Sequence, residues 1–207
     1  MRIIAGFHRG RQIVAPEGLT TRPMTDRVRE SLFNILSVAV EDAVVLDLFC
    51  GSGALGLESL SRGAKWCLFV DMAKDALATV ESNCHTLRLE GQMRIARRSV
   101  LQPGPWILPP PPDKFTLIFA DPPYKMTENP GGRQQLAAMA ATLASLGAVA
   151  PRATAMLRVK RGTPVDARWP GWRIVDERSY GTTTFYLMEF EPVAEATGGL
   201  PLSGNTR

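Results

Sequence analysis

Asp47-Leu48-Phe49-Cys50-Gly51-Ser52-Gly53-Ala54-Leu55-Gly56 is the stretch on which the fold turns. The run Ala43–Leu48 that leads into it has the apolar content of a buried strand, and Gly53–Arg62 has helical spacing up to Gly63. Strand, glycine turn and helix in that order open an α/β sheet. Gly51-x-Gly53-x-x-Gly56 matches the dinucleotide fingerprint, and Asp71 stands near the position at which an acid takes a ribose. An NAD oxidoreductase is therefore a competing reading. Against it stands Asp47, whose carboxylate ahead of the loop repels a pyrophosphate and favours an ammonium or sulfonium group. Gly51 and Gly53 let a small cofactor approach the turn closely. Asp71 closes a second strand, Trp66–Val70, where its carboxylate can accept both hydroxyls of a ribose. Either acid alone serves equally as a helix cap or turn former. Together, about a glycine turn, they imply a cofactor with a ribose, no phosphate and a positive amino-acid end: S-adenosylmethionine.

Outward from this unit the alternation continues. Ala73–Leu87 is helical, Met93–Ala96 a short third strand, Phe115–Ala120 a fourth, Gly131–Leu146 a helix and Ala153–Val159 a fifth strand. Trp172–Arg178 and Thr183–Phe190 follow as two strands joined by Ser179–Thr182, which predicts an antiparallel edge. Repeated strand–helix units predict an α/β fold with a mostly parallel seven-stranded sheet and helices on both faces. Before the sheet, Arg2–Ala5 and Arg11–Ala15 flank the turn Gly6–Gly10 as a hairpin, Pro16–Pro23 is a loop, and Thr25 or Asp26 caps a helix to about Val38. Pro103–Pro112, with six prolines in ten residues, is a loop. The chain divides into an N-terminal hairpin and helix (1–40), a catalytic domain (41–191) and a Gly/Pro/Ser/Thr-rich tail (192–207) expected to be disordered.

With 207 residues, 45% hydrophobic and 21% charged, the composition is that of one soluble globular core. A net charge of +4 permits a polyanionic partner, and Arg2, Arg9, Arg11, Arg22, Arg27 and Arg29 crowd the first thirty positions. Solvated surface charge is the plainer account of that cluster. Cys50, Cys67 and Cys84 form no CxxC pair and have two histidines for company, which argues against zinc and fits a reducing cytoplasm. Met1–Gln12 has no apolar core of a signal peptide. Gln134–Ala150, uncharged and Ala-rich, is too short to span a bilayer comfortably. Without coiled-coil heptads, a monomer is expected.

Asp121-Pro122-Pro123-Tyr124 leaves the end of the fourth strand. The prolines stiffen the turn and carry no N–H, so its carbonyls are free to accept. With the carboxylate and a ring on which a base can stack, the tetrapeptide suits a planar group bearing an NH2. An ordinary strand exit punctuated by proline is the simpler account. Ligands of open α/β sheets bind beyond the carboxyl ends of strands, at the switch point. Neighbouring first and fourth strands would bring Asp121 and the Pro122 carbonyl to face the methyl donor, with Tyr124 against the base. Cys50, in the donor's turn, is badly placed to attack a base as a thiolate.

Three motifs carry a family resemblance. Asp47–Glu58 followed by Ser-Arg-Gly63, the run Arg22-Pro-Met-Thr-Asp-Arg-Val-Arg-Glu30, and Arg2-Ile-Ile-Ala-Gly6 with Asp121–Tyr124 resemble the class I methyltransferases that modify guanine N2 in 16S ribosomal RNA. The resemblance covers roughly residues 2–190, and Arg22–Glu30 is its specific element, since the other motifs occur in many amino-methylating enzymes. It implies a Rossmann-like methyltransferase fold with a short N-terminal extension, acting on rRNA of the small subunit or its assembly intermediate with the base flipped out. It adds Phe49, Met72 and Ser99 to Asp47, Gly51, Gly53 and Asp71 as cofactor contacts. Arg9, Arg11, Arg22, Arg27 and Arg29 become RNA contacts, with Arg27 placed alternatively toward the cofactor or against Glu30. Neither metal nor membrane is implied. Methylation of adenine N6 or of protein glutamine, and a non-catalytic RNA-binding assembly factor, are the other readings.

Overall fold

A computed structural model describes residues 1–16, 24–164 and 169–192. Arg22, most of the Pro16–Pro23 loop and the tail beyond Pro192 lie outside the described residues. Seven strands form one sheet in the order β3-β2-β1-β4-β5-β7-β6. They are β1 (Val44–Leu48), β2 (Trp66–Asp71), β3 (Met93–Arg97), β4 (Phe115–Ala120), β5 (Val149–Lys160), β6 (Trp172–Tyr180) and β7 (Thr183–Phe190). The first five run parallel to one another, whereas β7 runs antiparallel to both β5 and the edge strand β6. The strand that opposes the parallel set is thus inserted next to the edge. The short turn Gly181–Thr182 makes β6 and β7 antiparallel partners, because strands so closely linked pair as a hairpin.

Helices α1 (Asp26–Ile35), α2 (Ser37–Val40), α3 (Ala54–Ser61), α4 (Lys74–Leu87), α5 (Tyr124–Glu128) and α6 (Pro130–Ser145) complete the fold. The period-2 alternation of each strand divides the core in two. Val45, Cys67, Phe69, Leu117, Phe119 and Met156 pack with apolar residues of α1, α3 and α4. Val44, Leu46, Leu48, Val70, Ile118 and Leu157 pack on the other face, with Leu136, Met139 and Leu143 of α6. Gly56 marks how tightly α3 lies on the sheet: a Cβ there would come 2.7 Å from the Cys67 sulfur.

Two local expectations are corrected. The helix expected to reach Val38 breaks at Leu36, whose ψ of 3° leaves the helical region, so α1 and α2 are separate. Thr25 does cap α1, accepting from the Val28 amide. The turn at Asp121–Tyr124 runs straight into α5, a helix too short to show a period in sequence. The N-terminal hairpin forms as expected: around the bridge of Arg2 to Gln12, the Ile3 amide donates to the Arg11 carbonyl, that of Gly10 to Ile3 and that of Ile13 to Met1, and α3 then holds the pair against the sheet. Fully buried Glu58 accepts from the amides of Ile4 (2.8 Å) and Ala5 (3.0 Å), while Ser61 accepts from the His8 amide and donates to the Ala5 carbonyl. The backbone of the extension therefore finds its partners on the catalytic domain, as buried amides must.

Candidate active site

The carboxyl ends of β1, β2 and β4 converge because those strands are adjacent, with Asp47 paired to Phe69 on one side and Phe119 on the other. The glycine loop is braced from β2: Asp71 Oδ2 accepts from the Gly51 amide at 3.0 Å and Oδ1 from the Ala73 amide at 2.9 Å. Each oxygen keeps a second acceptor direction, so these bonds leave room for hydroxyls. Gly51 and Gly53 have φ of +52° and +75°, and a Cβ on Gly51 would meet nothing within 4 Å. The loop thus faces open space on the side from which a ligand arrives. Phe49 is half-buried, Ser99 is partly accessible at the end of β3, and Met72 is 63% exposed, an apolar side chain held at the rim. These features fit a nucleoside seated on the loop.

Asp47 departs from its expected place. It is 1% exposed, and its Oδ2 accepts from the Gly56 amide at 2.9 Å. As the penultimate residue of β1 it points under the start of α3, so it ties the helix to the strand. Burial pushes its carboxyl well above the usual range, the Gly56 amide opposes, and Asp121 and Asp71 push it further up. Cys50 is buried as well, and burial with Asp47 nearby raises its thiol well above the ordinary value. An inert core thiol is the result.

Asp121 is the first residue beyond β4, two past Phe119, and projects from the same sheet face as Asp47. Its side chain keeps 25% exposure and pairs with Arg158, whose Nη1 lies 2.9 Å from Oδ2 and 3.3 Å from Oδ1. Burial raises its carboxyl and Arg158 opposes the rise. Tyr124 opens α5, its hydroxyl 2.6 Å from Thr183 Oγ1 on β7, and the Arg158 guanidinium carbon stands 5.4 Å from the ring centroid. A cavity of about 510 Å³ opens here, walled by Tyr124, Arg158, Thr183, Tyr180, Arg27 and Val28. The structure therefore brings the Arg22–Glu30 signature, through Arg27 and Val28, to the tetrapeptide.

The basic residues separate into two kinds. Arg9, Arg11 and Arg27 are exposed. Arg29, expected at an RNA surface, is 1% exposed; it donates to the Arg2 carbonyl and to Asp26 Oδ1 and lies 3.9 Å from Glu58. It follows the apolar face of α1 with Leu32 and Phe33, so its charge fastens the extension and is out of reach of a phosphate. Arg158, Thr183 and Glu58 were missed as site or docking residues. A signal existed for two of them: Arg158 is a charge within the apolar run of β5, and Glu58 a charge within the apolar α3. Among the described residues no helix is long and apolar enough to cross a membrane, and no His/Cys/Asp/Glu group is placed to hold a metal.

Comparison with known proteins accords with this geometry. A Bacillus subtilis protein, YlbH, provisionally named an rRNA methyltransferase, is 42% identical over 125 residues, which span 60% of this chain and 67% of the relative. The ribosomal RNA small subunit methyltransferase D of Escherichia coli K12 is 38% identical over 125 residues, 60% of this chain and 61% of the relative. The solved structure of Escherichia coli yhhF, provisionally named a methyltransferase, superposes with a TM-score of 0.76 at 31% identity, covering 93% of this chain and 99% of that one. Residues 1–189 match the family model described as Conserved hypothetical protein 95, and the chain belongs to that family.

Proposed function

We propose that this protein transfers a methyl group from S-adenosylmethionine to the exocyclic N2 amine of a guanine in 16S rRNA of the small ribosomal subunit or its assembly intermediate. The observation that carries the reading is the Asp121–Tyr124 turn, whose Tyr124 and whose Asp121 partner Arg158 wall a cavity of about 510 Å³, one strand away from the braced glycine loop. The names of the relatives, rRNA methyltransferases of the small subunit among them, support the substrate class. Asp71, Gly51, Gly53, Phe49, Met72 and Ser99 hold the cofactor, with Asp47 behind the loop. When bound, S-adenosylmethionine supplies a methyl carbon on a positively charged sulfur.

The chain's own residues do the rest. A guanine amine is a poor nucleophile because its lone pair is delocalised into the ring. Asp121 and the Pro122 carbonyl accept its two N–H bonds, which frees the lone pair from the ring plane and aims it. Fixing the amine in that pose supplies much of the rate. The Asp121 carboxylate offsets the positive charge that grows on nitrogen and stands where the shed proton can be taken up. Tyr124 stacks on the extruded base, offsetting part of an unstacking cost of a few kcal/mol. Residues 1–40 form the RNA-contacting extension, with exposed Arg9, Arg11 and Arg27 on phosphates, and 41–191 the catalytic domain. Such a substrate places the activity in the cytoplasm. The test is incubation with labelled methyl donor and undermethylated small subunits, free rRNA or DNA, followed by mapping of the modified base. Label in guanine N2 of 16S rRNA supports the assignment; label confined to DNA, adenine or protein overturns it.

A further inference from the structure

Arg158 touches the proposed acceptor carboxylate, yet no step above uses it. It lies two residues after Met156 on β5, and Met156 pairs with Phe119 on β4, so Arg158 and Asp121 extend past the same pair on the same face. The side chain is 8% exposed, and its remaining accessible surface looks into the cavity. A cation so placed on an interior strand is costly without a partner, and the Asp121 carboxylate provides one at 2.9 Å. The same guanidinium lies against the Tyr124 ring, which Thr183 holds from the other end through the hydroxyl. Asp121, Arg158, Tyr124 and Thr183 thus form one contact chain across β4, β5, α5 and β7.

That chain fixes two things the reaction needs. Both carboxylate oxygens face a single Arg158 nitrogen, which sets the plane of the group and leaves each oxygen a further acceptor direction. The adjacent cation also favours the ionised form, the form that accepts an amine hydrogen. The other charged or titratable groups around Asp121 are Asp47 from β1 and Tyr124 from α5, with Arg27 of α1 across the cavity. Burial opposes ionisation of Asp121, and Arg158 is the group that favours it.

We propose that Arg158 is a positioning residue for methyl transfer: it acts through Asp121, whose orientation and charge it sets, and through Tyr124, whose ring it braces under the base. The proposal rests on Asp121 being the amine acceptor. The test measures kcat, KM for the RNA substrate and S-adenosylmethionine affinity against pH for wild type, R158M, R158K and D121A. R158M is expected to lose kcat on the order of tenfold or more at unchanged cofactor affinity. Its acid limb moves to higher pH, because the burial-driven rise of the Asp121 carboxyl is no longer opposed. R158K keeps the charge, so the acid limb returns while kcat recovers only in part. Wild-type kcat and acid limb in R158M, with D121A inactive, overturn the role of Arg158 alone. Full activity in D121A instead overturns the reading beneath it. Should R158M fail to bind cofactor, R158K decides: reduced kcat at unchanged cofactor affinity supports the proposal, and wild-type kcat overturns it.

Discussion

Asp47 and Asp121 stand at the carboxyl ends of neighbouring strands and project from one sheet face, yet they have opposite surroundings. Asp47 lies inside its strand, one residue before the end, and is sealed beneath α3 with a backbone amide as partner. Asp121 lies one residue beyond its strand, keeps 25% side-chain exposure and is held by Arg158, which walls the cavity. An acid inside the ladder is confined to what the neighbouring helix offers, so it becomes part of the frame. An acid just past the ladder keeps free acceptor directions and can serve a ligand. Two residues of register separate a structural carboxylate from a proposed catalytic one.

Substitutions at the two positions test that distinction directly. The largest effect is expected from Asp121→Asn, which keeps an acceptor for Arg158 but removes the charge: kcat falls on the order of 10²-fold or more. Calorimetry should find cofactor affinity unchanged; a variant with wild-type turnover would erase the difference between the two acids. Asp47→Ala strips the Gly56 amide of its buried acceptor, at a cost of about 1–3 kcal/mol in stability. A lower melting temperature and weaker cofactor binding are expected, with kcat at saturation within a few-fold of wild type. Intact stability with lost turnover would reverse the comparison.

A pH series sharpens it further. The folded Asp47 carboxyl is raised well above its usual range by burial, so ionising it costs more in the fold than in the unfolded chain. That cost is absent below the ordinary aspartate range and grows as pH rises from there through the raised folded value. Denaturation midpoints of Asp47→Asn should therefore shift in the variant's favour, relative to wild type, between acid and neutral pH. A constant difference across that range would show Asp47 unshifted. The smallest effect is expected from Thr183→Val, which removes the partner of the Tyr124 hydroxyl at about 0.5–1.5 kcal/mol. It should raise KM for the RNA substrate a few-fold and leave cofactor affinity alone.

Much of this arrangement was legible in the chain. Val44–Leu48 and Phe115–Ala120 announce buried strands by apolar runs each interrupted by one polar residue, and the glycines after Asp47 announce the turn. Legible too was the adjacency of the first and fourth strands, because a doubly wound sheet reverses its order there. The partners of the polar groups were not. Arg29 sits among arginines that do reach solvent, and only the helical phase set by Leu32 and Phe33 turns it inward. Glu58 holds the amides of Ile4 and Ala5 across more than fifty residues, a pairing that no local pattern encodes.

The sequence by itself determined the order of strands and helices, the glycine turn and the acids at the strand ends, since these follow from apolar periodicity and from residues with special backbone freedom. Tertiary structure alone decided which acid keeps exposure beside Arg158 and which is sealed in the frame. It also brought Arg158 to Asp121, and Arg27 and Val28 to Tyr124. The reason is physical: secondary structure is dictated by neighbours along the chain, whereas burial and ion pairing depend on distances that exist only after the sheet has closed.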